Sequence, residues 1–176
     1  MSESEKGNSA DYLWSFGVRS LLWVTRSDIR MGDDIYMQRL LVEIGARRRS
    51  VRLHVIHRAD ADQCLHDHPW EFWSVILWGG YVEEVPAPDS TDAEASAGYP
   101  RRATLTVKPG RFRRMPLGYK HRITGLLRSK SVTLAYAGPL SQHWGFYTAD
   151  GKMPWEHFVN EDRSWRVFWC DVRRSK

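Results

Sequence analysis

Short apolar tracts of strand length, separated by glycine, proline or charged residues, occupy much of this 176-residue chain. The clearest is Phe72–Trp78, which ends at Gly79-Gly80, and a second, Ser131–Ala137, ends at Gly138-Pro139. Tracts of this length with turn residues at their ends are typical of β-strands rather than helices. By the same criteria, strands are predicted at 35–44, 51–57, 103–107, 110–115 and 121–127. The chain is therefore predicted to be all-β.

Length and composition favour one domain. Hydrophobic residues make up 42% of the chain and can support a sizeable core, but 176 residues leave little room for a second full domain. The polar residues 1–10 predict a flexible tail, so the domain is expected to span 11–176. Segment 86–102 is poor in bulky apolar residues and too long for a tight hairpin, which predicts a mobile loop. Aromatic segments near both ends predict short peripheral helices or irregular structure.

Two histidine-bearing segments can place three imidazoles around one metal ion. Residues two apart in an extended strand project from the same face, so His66 and His68 share a side. His121 must come from another strand, because Pro116 and Gly118 require a turn just before it. Three nitrogen ligands suit Fe(II), Zn, Ni, Cu or Mn and leave coordination positions open. The sequence thus predicts a metal site at His66, His68 and His121.

The first of these segments resembles the first motif of the cupin superfamily. His66, His68 and Gly79 fall in register with that motif, whereas Asp60 stands where its opening glycine is usual. Phe72 occupies the position at which the family carries a glutamate ligand.

The second segment resembles the second cupin motif more completely. Gly110, Pro116, Gly118 and His121 all match, and only the final asparagine is replaced, by Gly125. The resemblance implies a single cupin jelly-roll β-barrel. It implies a fold better than a reaction, because cupins include dioxygenases, isomerases, decarboxylases, epimerases and noncatalytic binding proteins.

Phe72 at the usual glutamate position leaves the ligand set open. One implication is a three-histidine site, similar to that of thiol-dioxygenase-like cupins. A second is that Glu71 substitutes as a ligand, which requires a bulge beside Pro69 because Glu71 lies one residue out of register. A third is a barrel that has lost its metal.

Arginines near the second motif offer an anion-binding subsite. Arg111 and Arg113 share one strand face and Arg114 takes the other, so a regular strand directs at least one guanidinium inward. An inward arginine could clamp an anionic substrate, and the alternative is an ion pair. Tyr136 either lines the same cavity or packs in the core.

The expected function is that of a metal-dependent, dioxygenase-like oxidoreductase in which three histidines hold Fe(II) beside a small anionic substrate. One alternative is a metal-independent isomerase or epimerase with His66 or His121 as the base. Another is a noncatalytic cupin that binds a small ligand. A nucleic-acid-binding cupin is the last alternative, since the net charge is +5 and arginines cluster, although 21 acidic residues offset them.

Cellular location and assembly are predicted from weaker signals. Cys64 and Cys170 lack CxxC spacing and predict reduced thiols in the cytoplasm. The polar start lacks the apolar core of a signal peptide, and no later run approaches the roughly 20 apolar residues that span a bilayer. No membrane partner is therefore expected. The cupin resemblance implies a homodimer.

Overall fold

Antiparallel strands form nearly all the regular structure in the computed structural model, which describes residues 22–31, 33–45, 49–90, 101–148 and 151–158. Within those ranges one short helix, α1 (Trp155–Phe158), follows the last strand. The all-β prediction is confirmed. The strands are β1 (Leu22–Met31), β2 (Asp34–Ile44), β3 (Arg49–Ile56), β4 (Leu65–His66), β5 (Phe72–Trp78), β6 (Tyr81–Pro86), β7 (Arg102–Val107), β8 (Phe112–Met115), β9 (Arg122–Leu126), β10 (Ser131–Ala137), β11 (Gly145–Thr148) and β12 (Gly151–Pro154).

Two layers enclose the interior: a six-stranded sheet, and two three-stranded sheets that are joined to each other. The first has six strands in the order β1-β2-β3-β10-β5-β8, and two three-stranded sheets have the orders β12-β11-β4 and β7-β6-β9. A backbone pair between His66 and His121 joins the three-stranded sheets, with amide-to-carbonyl distances of 2.9 and 3.0 Å. The strands thus pair with partners distant in sequence, as in a jelly roll.

The hydrophobic core lies between the two sheets. Ile56 and Ile76 of the six-stranded sheet pack with Tyr81, Val107 and Ile123 of the opposite sheet. Each is at most 5% exposed. Inward positions alternate with outward ones along each strand, so these contacts determine which residues can face the interior.

Each predicted strand coincides with an observed strand, but five observed strands were missed, and one of them is β1 (Leu22–Met31). β6 escaped prediction because Glu83 and Glu84 interrupt its apolar pattern, and β4, β11 and β12 have at most four residues each. The predicted loop 86–102 connects β6 to β7, and its residues 91–100 lie outside the described ranges. So do the predicted tail 1–10 and the aromatic residues beyond 158.

The structure corrects the expectation for Cys64. This residue is fully buried against Phe146 and is disulfide-bonded. Sequence spacing did not reveal the bond because disulfides depend on proximity in the fold. The cytoplasmic location stays a prediction. Among the described residues, no helix has the length and hydropathy that crossing a membrane requires.

Asp67, between the first two histidines, ties β4 to β11. Its side chain is 1% exposed and accepts hydrogen bonds from the Gly145 amide at 2.9 Å, the Tyr147 hydroxyl at 3.0 Å and the Lys152 ammonium at 2.7 Å. Gln142 Nε2 lies 3.3 Å away. The buried carboxylate therefore holds the end of β4 in place by hydrogen bonds on the face opposite the histidines.

Replacing Asp67 with alanine should lower the free energy of unfolding by about 3 kcal/mol, because the buried Gly145 amide and Tyr147 hydroxyl lose their acceptor and the Lys152 ammonium loses its ion pair. Urea denaturation measures the change. Asp89→Ala is the matched control: its exposed carboxylate lies 2.7 Å from Arg101, and exposed pairs contribute at most about 1 kcal/mol. Equal losses in the two variants would contradict a structural role for Asp67.

Candidate metal site

Three imidazole rings converge between the sheets. His66, His68 and His121 each offer one nitrogen, and these atoms all lie within 4.8 Å of one another. The ring centroids are 4.9 to 5.4 Å apart. Among the described residues, this is the one group of three or more potential metal ligands found at such spacing. The structure therefore brings together the three histidines that the sequence predicted.

The nitrogen positions fit a divalent transition metal. Nε2 of His68 and Nε2 of His121 face each other at 2.9 Å. Two metal–nitrogen bonds of about 2.0–2.1 Å at octahedral or tetrahedral angles would separate the nitrogens by about 2.8–3.4 Å, a range that includes this distance. Nδ1 of His66 is buried and has no hydrogen-bond partner. A cluster of imidazoles with an orphaned nitrogen is a plausible ligand set by chemistry as well as by spacing.

Burial keeps the imidazoles of His66 and His68 neutral. It lowers the pKa of His66 to about 4, although Asp60 acts in the opposite direction. The pKa of His68 also falls well below its ordinary value, first because of burial and then because of His121. Neutral imidazole is the form that binds metal, so little proton release opposes binding at neutral pH.

Asp60 anchors the chain that leads into β4. Its Oδ2 accepts the Ile123 amide at 2.6 Å, and the Tyr36 hydroxyl donates to Oδ1. Oδ2 also lies 3.9 Å from Nδ1 of His66. The carboxylate at the usual glycine position thus ties this segment to β9, the strand that follows His121.

Phe72 lies beside the histidines, where the cupin resemblance implied a glutamate. Its ring meets the His68 ring edge-on, with centroids 4.9 Å apart and an interplanar angle of 85°. Glu71 lies elsewhere: Arg114 Nε donates to its Oε1 at 2.5 Å. The β5–β8 pairing runs without a register shift, so no bulge there redirects Glu71. The structure does not bring Glu71 to the three histidines.

A buried carboxylate that sequence analysis missed orients His121. Glu83 is 0% exposed and its Oε2 lies 2.9 Å from Nδ1 of His121. An ionised carboxylate only accepts hydrogen bonds, so Nδ1 carries the proton and Nε2 keeps its lone pair for a metal. Arg113 also donates to Glu83, and the Tyr119 hydroxyl donates at 3.1 Å. Burial acts to raise the pKa of Glu83, but hydrogen bonds from His121 and Arg113 outweigh it and lower the pKa.

Arg113 is the inward arginine that strand alternation predicted. Its guanidinium pairs with Glu83 and also donates to the hydroxyls of Tyr81 at 3.1 Å and Tyr119 at 2.6 Å. The charge of Arg113 is therefore balanced inside the protein. Of the two roles expected for an inward arginine, Arg113 therefore has that of an ion-pair partner and not that of a contact to an anionic substrate.

The other predicted substrate contacts lie away from the interior. Arg111 is exposed, and Arg114 pairs with Glu71. Tyr136 is 37% exposed, and its ring centroid lies 6.0 Å from that of Trp73. None of the three lines the cavity beside the histidines. Strand alternation assigns a face to each residue but does not show where a long side chain ends.

A cavity of about 330 Å³ adjoins the three histidines. Aromatic residues form much of its wall, and Arg52, His54 and Ser74 line it from the six-stranded sheet. A volume of this size suits a small organic ligand. The aromatic residues are Tyr36, Trp70, Phe72, Tyr81 and Trp144.

The remaining histidines lie outside the three-imidazole group. His54 lines the cavity, and burial, followed by Arg39 and Arg52, lowers its pKa to about 3. Nε2 of His57 lies 3.0 Å from Oε1 of Gln38. The His143 backbone carbonyl accepts from Lys152, and His157 is exposed in α1.

Several arginines of the predicted basic clusters form ion pairs. Arg101 pairs with Asp89 at 2.7 Å, and Arg102 pairs with Glu84 at 3.0 Å. Arginines 47, 48, 173 and 174 lie outside the described residues. These ion pairs reduce the charge available to a polyanion, and nucleic-acid binding stays a prediction.

Comparison with solved structures returns matches at low sequence identity. A protein from Ralstonia eutropha named as a candidate mannose-6-phosphate isomerase is 16% identical, with 64% of this chain and 92% of that chain covered and a TM-score of 0.43. FeII HppE is 11% identical, with coverages of 65% and 56% and a TM-score of 0.47. A mutant of Bacillus subtilis oxalate decarboxylase is 14% identical, with coverages of 68% and 29% and a TM-score of 0.45.

The chain thus spans little more than half of HppE and under a third of the decarboxylase. No protein-family model and no curated protein matches it. At these TM-scores the similarity does not indicate which ligand this chain binds or which reaction it catalyses. Those inferences depend on the residues of the site.

Glu83→Gln should weaken metal binding about 10- to 100-fold, because His121 loses the charged acceptor that orients it. Competition with a chromophoric chelator, using Zn²⁺ and Co²⁺, measures the affinity. Glu84→Gln is the matched control, since Glu84 is the next residue and pairs with Arg102 and Arg122 instead. Equal affinities for Glu83→Gln and wild type would refute the orienting role.

The metal-free protein should lose stability as pH falls from about 6.5 to 4. The fold holds His54 and His66 neutral, with pKa values of about 3 and 4, whereas the unfolded chain protonates them near their ordinary value, so acid favours unfolding. Asp62 acts oppositely, because burial and then Asp60 raise its pKa to about 7. The two histidines outweigh it, for a net loss of about 3 kcal/mol at about 1.4 kcal/mol per pKa unit.

Chemical denaturation at pH 7 and pH 4 measures this loss. His54→Gln should flatten the pH dependence, since it removes one group that acid protonates only on unfolding. Asp62→Asn should steepen it, since it removes the opposing group. A wild-type stability that does not change between these pH values would contradict the assignment.

Proposed function

We propose that the chain is a metal-dependent oxidoreductase of the cupin type, in which His66, His68 and His121 hold Fe(II) beside a small anionic organic substrate. The observation that carries the proposal is the convergence of three imidazoles at the wall of a cavity that five aromatic side chains also line. When bound, Fe(II) supplies redox chemistry and open coordination positions. The same ligands suit Zn, Ni, Cu or Mn, and elemental analysis distinguishes these metals.

The side chains around the histidines have separate tasks in this proposal. Glu83 holds the proton on Nδ1 of His121, which leaves Nε2 as the ligand atom. Phe72 shields His68 from solvent and adds no charge. With three neutral ligands the metal keeps its full charge, which favours an anionic substrate and dioxygen chemistry of the kind that the three-histidine resemblance implies. The aromatic wall limits the entry of water.

An isomerase or epimerase that uses His66 as a general base fits this site less well. A group with a pKa of about 4 accepts a proton weakly at neutral pH, whereas an efficient base has a pKa near the working pH. A noncatalytic ligand-binding role is the remaining alternative, and turnover distinguishes it. The homodimer stays a prediction.

Protein purified without chelator or a polyhistidine tag, then reconstituted anaerobically with Fe(II), should retain about one metal ion per chain. His66→Ala and His121→Ala should each lose most of it, because two imidazoles hold the ion much less tightly than three. Elemental analysis after gel filtration is the measurement. The control His57→Ala removes a histidine that contacts Gln38 and should retain the metal. Wild-type protein without stoichiometric metal would overturn the proposal.

Oxygen consumption separates the oxidoreductase from the alternatives. Fe(II)-loaded wild type should consume dioxygen with at least one member of a panel of small carboxylic acids, and His121→Ala should not. Conversion of an acid without oxygen uptake would favour the isomerase. Ligand-induced stabilisation without any conversion would favour the noncatalytic role.

A further inference from the structure

Arg52 on β3 presents a buried positive charge to the cavity. The residue is 8% exposed, its Nε donates to Ser50 Oγ at 2.9 Å, and its guanidinium carbon lies 3.7 Å from the centre of the Trp70 ring. Within the described ranges, no carboxylate forms an ion pair with Arg52. Arg113 differs, because Glu83 balances its charge. Arg52 is therefore a cavity-lining guanidinium whose charge no described carboxylate pairs with.

In the six-stranded sheet, Ala135 lies between Arg52 and Ser74. Ala135 of β10 pairs with Arg52 on one side and with Ser74 of β5 on the other. Adjacent strands lie about 4.8 Å apart, so the two backbones that carry Arg52 and Ser74 are about 10 Å apart. The next inward residue of β10, Ala137, is also small and lines the same cavity. Because Ala135 and Ala137 have only methyl side chains, a compact ligand group fits between the side chains of Arg52 and Ser74.

Ser74 adds an unpaired hydroxyl to this recess. The residue is 5% exposed and lines the cavity, and its Oγ is buried without a hydrogen-bond partner. A buried hydroxyl without a partner is costly, and most such groups in proteins are paired. A ligand oxygen between Arg52 and Ser74 would satisfy it.

The charge of the site also calls for an anion. Phe72 stands where a carboxylate ligand was expected, and Glu83 is matched by Arg113. A bound divalent ion and Arg52 would therefore both require negative charge from the ligand. Arg52 and His68 both line this cavity, so a ligand there can reach the guanidinium and the histidines together.

We propose that Arg52 and Ser74 form a carboxylate subsite, and that the substrate is a small carboxylic acid whose second donor group reaches the three histidines. The second donor rests on the proposed metal-dependent function, whereas the carboxylate subsite does not. A guanidinium presents two parallel N–H groups that match the two oxygens of a carboxylate. Arg39 also lines the cavity, and its Nε lies 3.3 Å from Ser27 Oγ.

Binding of matched acids and esters to the metal-free protein tests the carboxylate subsite. The probes are acetate, benzoate and 3-phenylpropionate with their methyl esters, measured by calorimetry and thermal shift. At least one acid should bind and raise the Tm, and its ester should not. Arg52→Gln should weaken binding of that acid about 10- to 100-fold, which corresponds to the loss of a charged hydrogen bond. Ser74→Ala should weaken it by a smaller factor.

Two further variants keep this test decisive. Arg114→Gln removes an arginine that pairs with Glu71 and does not line the cavity, and it should bind the acid like wild type. Arg52→Lys retains the charge without the planar fork, so its affinity should fall between those of wild type and Arg52→Gln. If Arg52→Gln fails to fold, Arg52→Lys, Ser74→Ala and the acid–ester comparison in wild type decide the question. Absence of acid binding, or equal binding by Arg52→Lys, Ser74→Ala and wild type, would overturn the subsite.

A second comparison tests the donor group and separates the two proposals. Zinc-loaded protein should bind 3-phenyllactate, which adds a hydroxyl, about tenfold more tightly than 3-phenylpropionate, whereas metal-free protein should show no such preference. Acid binding without a metal-dependent preference would keep the carboxylate subsite and overturn the second donor. Zinc retention without any acid binding would overturn the subsite and leave the metal site intact.

Discussion

The backbone pair between His66 and His121 is the interaction on which the rest of the site depends. Its two hydrogen bonds, of 2.9 and 3.0 Å, join two three-stranded sheets. Directly paired residues project to the same side of a sheet, which brings their rings within 4.9 Å of each other. The same two hydrogen bonds therefore join the sheets and bring His66 and His121 together. Asp67 and Asp60 support it from either side, by fastening this segment to β11 and to β9.

Buried charges divide into those that the protein balances and those that it leaves to a ligand. Glu83 and Arg113 neutralise each other, and their hydrogen bonds orient His121. Arg52 has an aromatic and a hydroxyl neighbour but no carboxylate among the described residues. The first arrangement orients a proposed metal ligand, and the second leaves a positive charge that the proposed carboxylate subsite would use.

The central strands and the three histidines could be predicted because both follow local rules. Apolar tracts ending in glycine or proline mark β5 and β10, and residue alternation places His66 and His68 on one side. Prediction failed for β6, where Glu83 and Glu84 interrupt the apolar pattern. That failure also concealed Glu83, the carboxylate that orients His121. A charged residue at an inward position of a strand was the one signal that could have revealed it.

The sequence by itself determined the all-β class, the identity of three candidate ligands and the inward direction of at least one of Arg111, Arg113 and Arg114, since side-chain alternation is a property of each strand alone. Tertiary structure alone decided that Arg113, and not Arg52, forms an ion pair with a described carboxylate. Glu83 reaches Arg113 across the interior from the opposite sheet, whereas Ala135 and Ser74 lie beside Arg52 in its own sheet. Such neighbours depend on strand order and register between segments distant along the chain, which no local pattern of residues encodes.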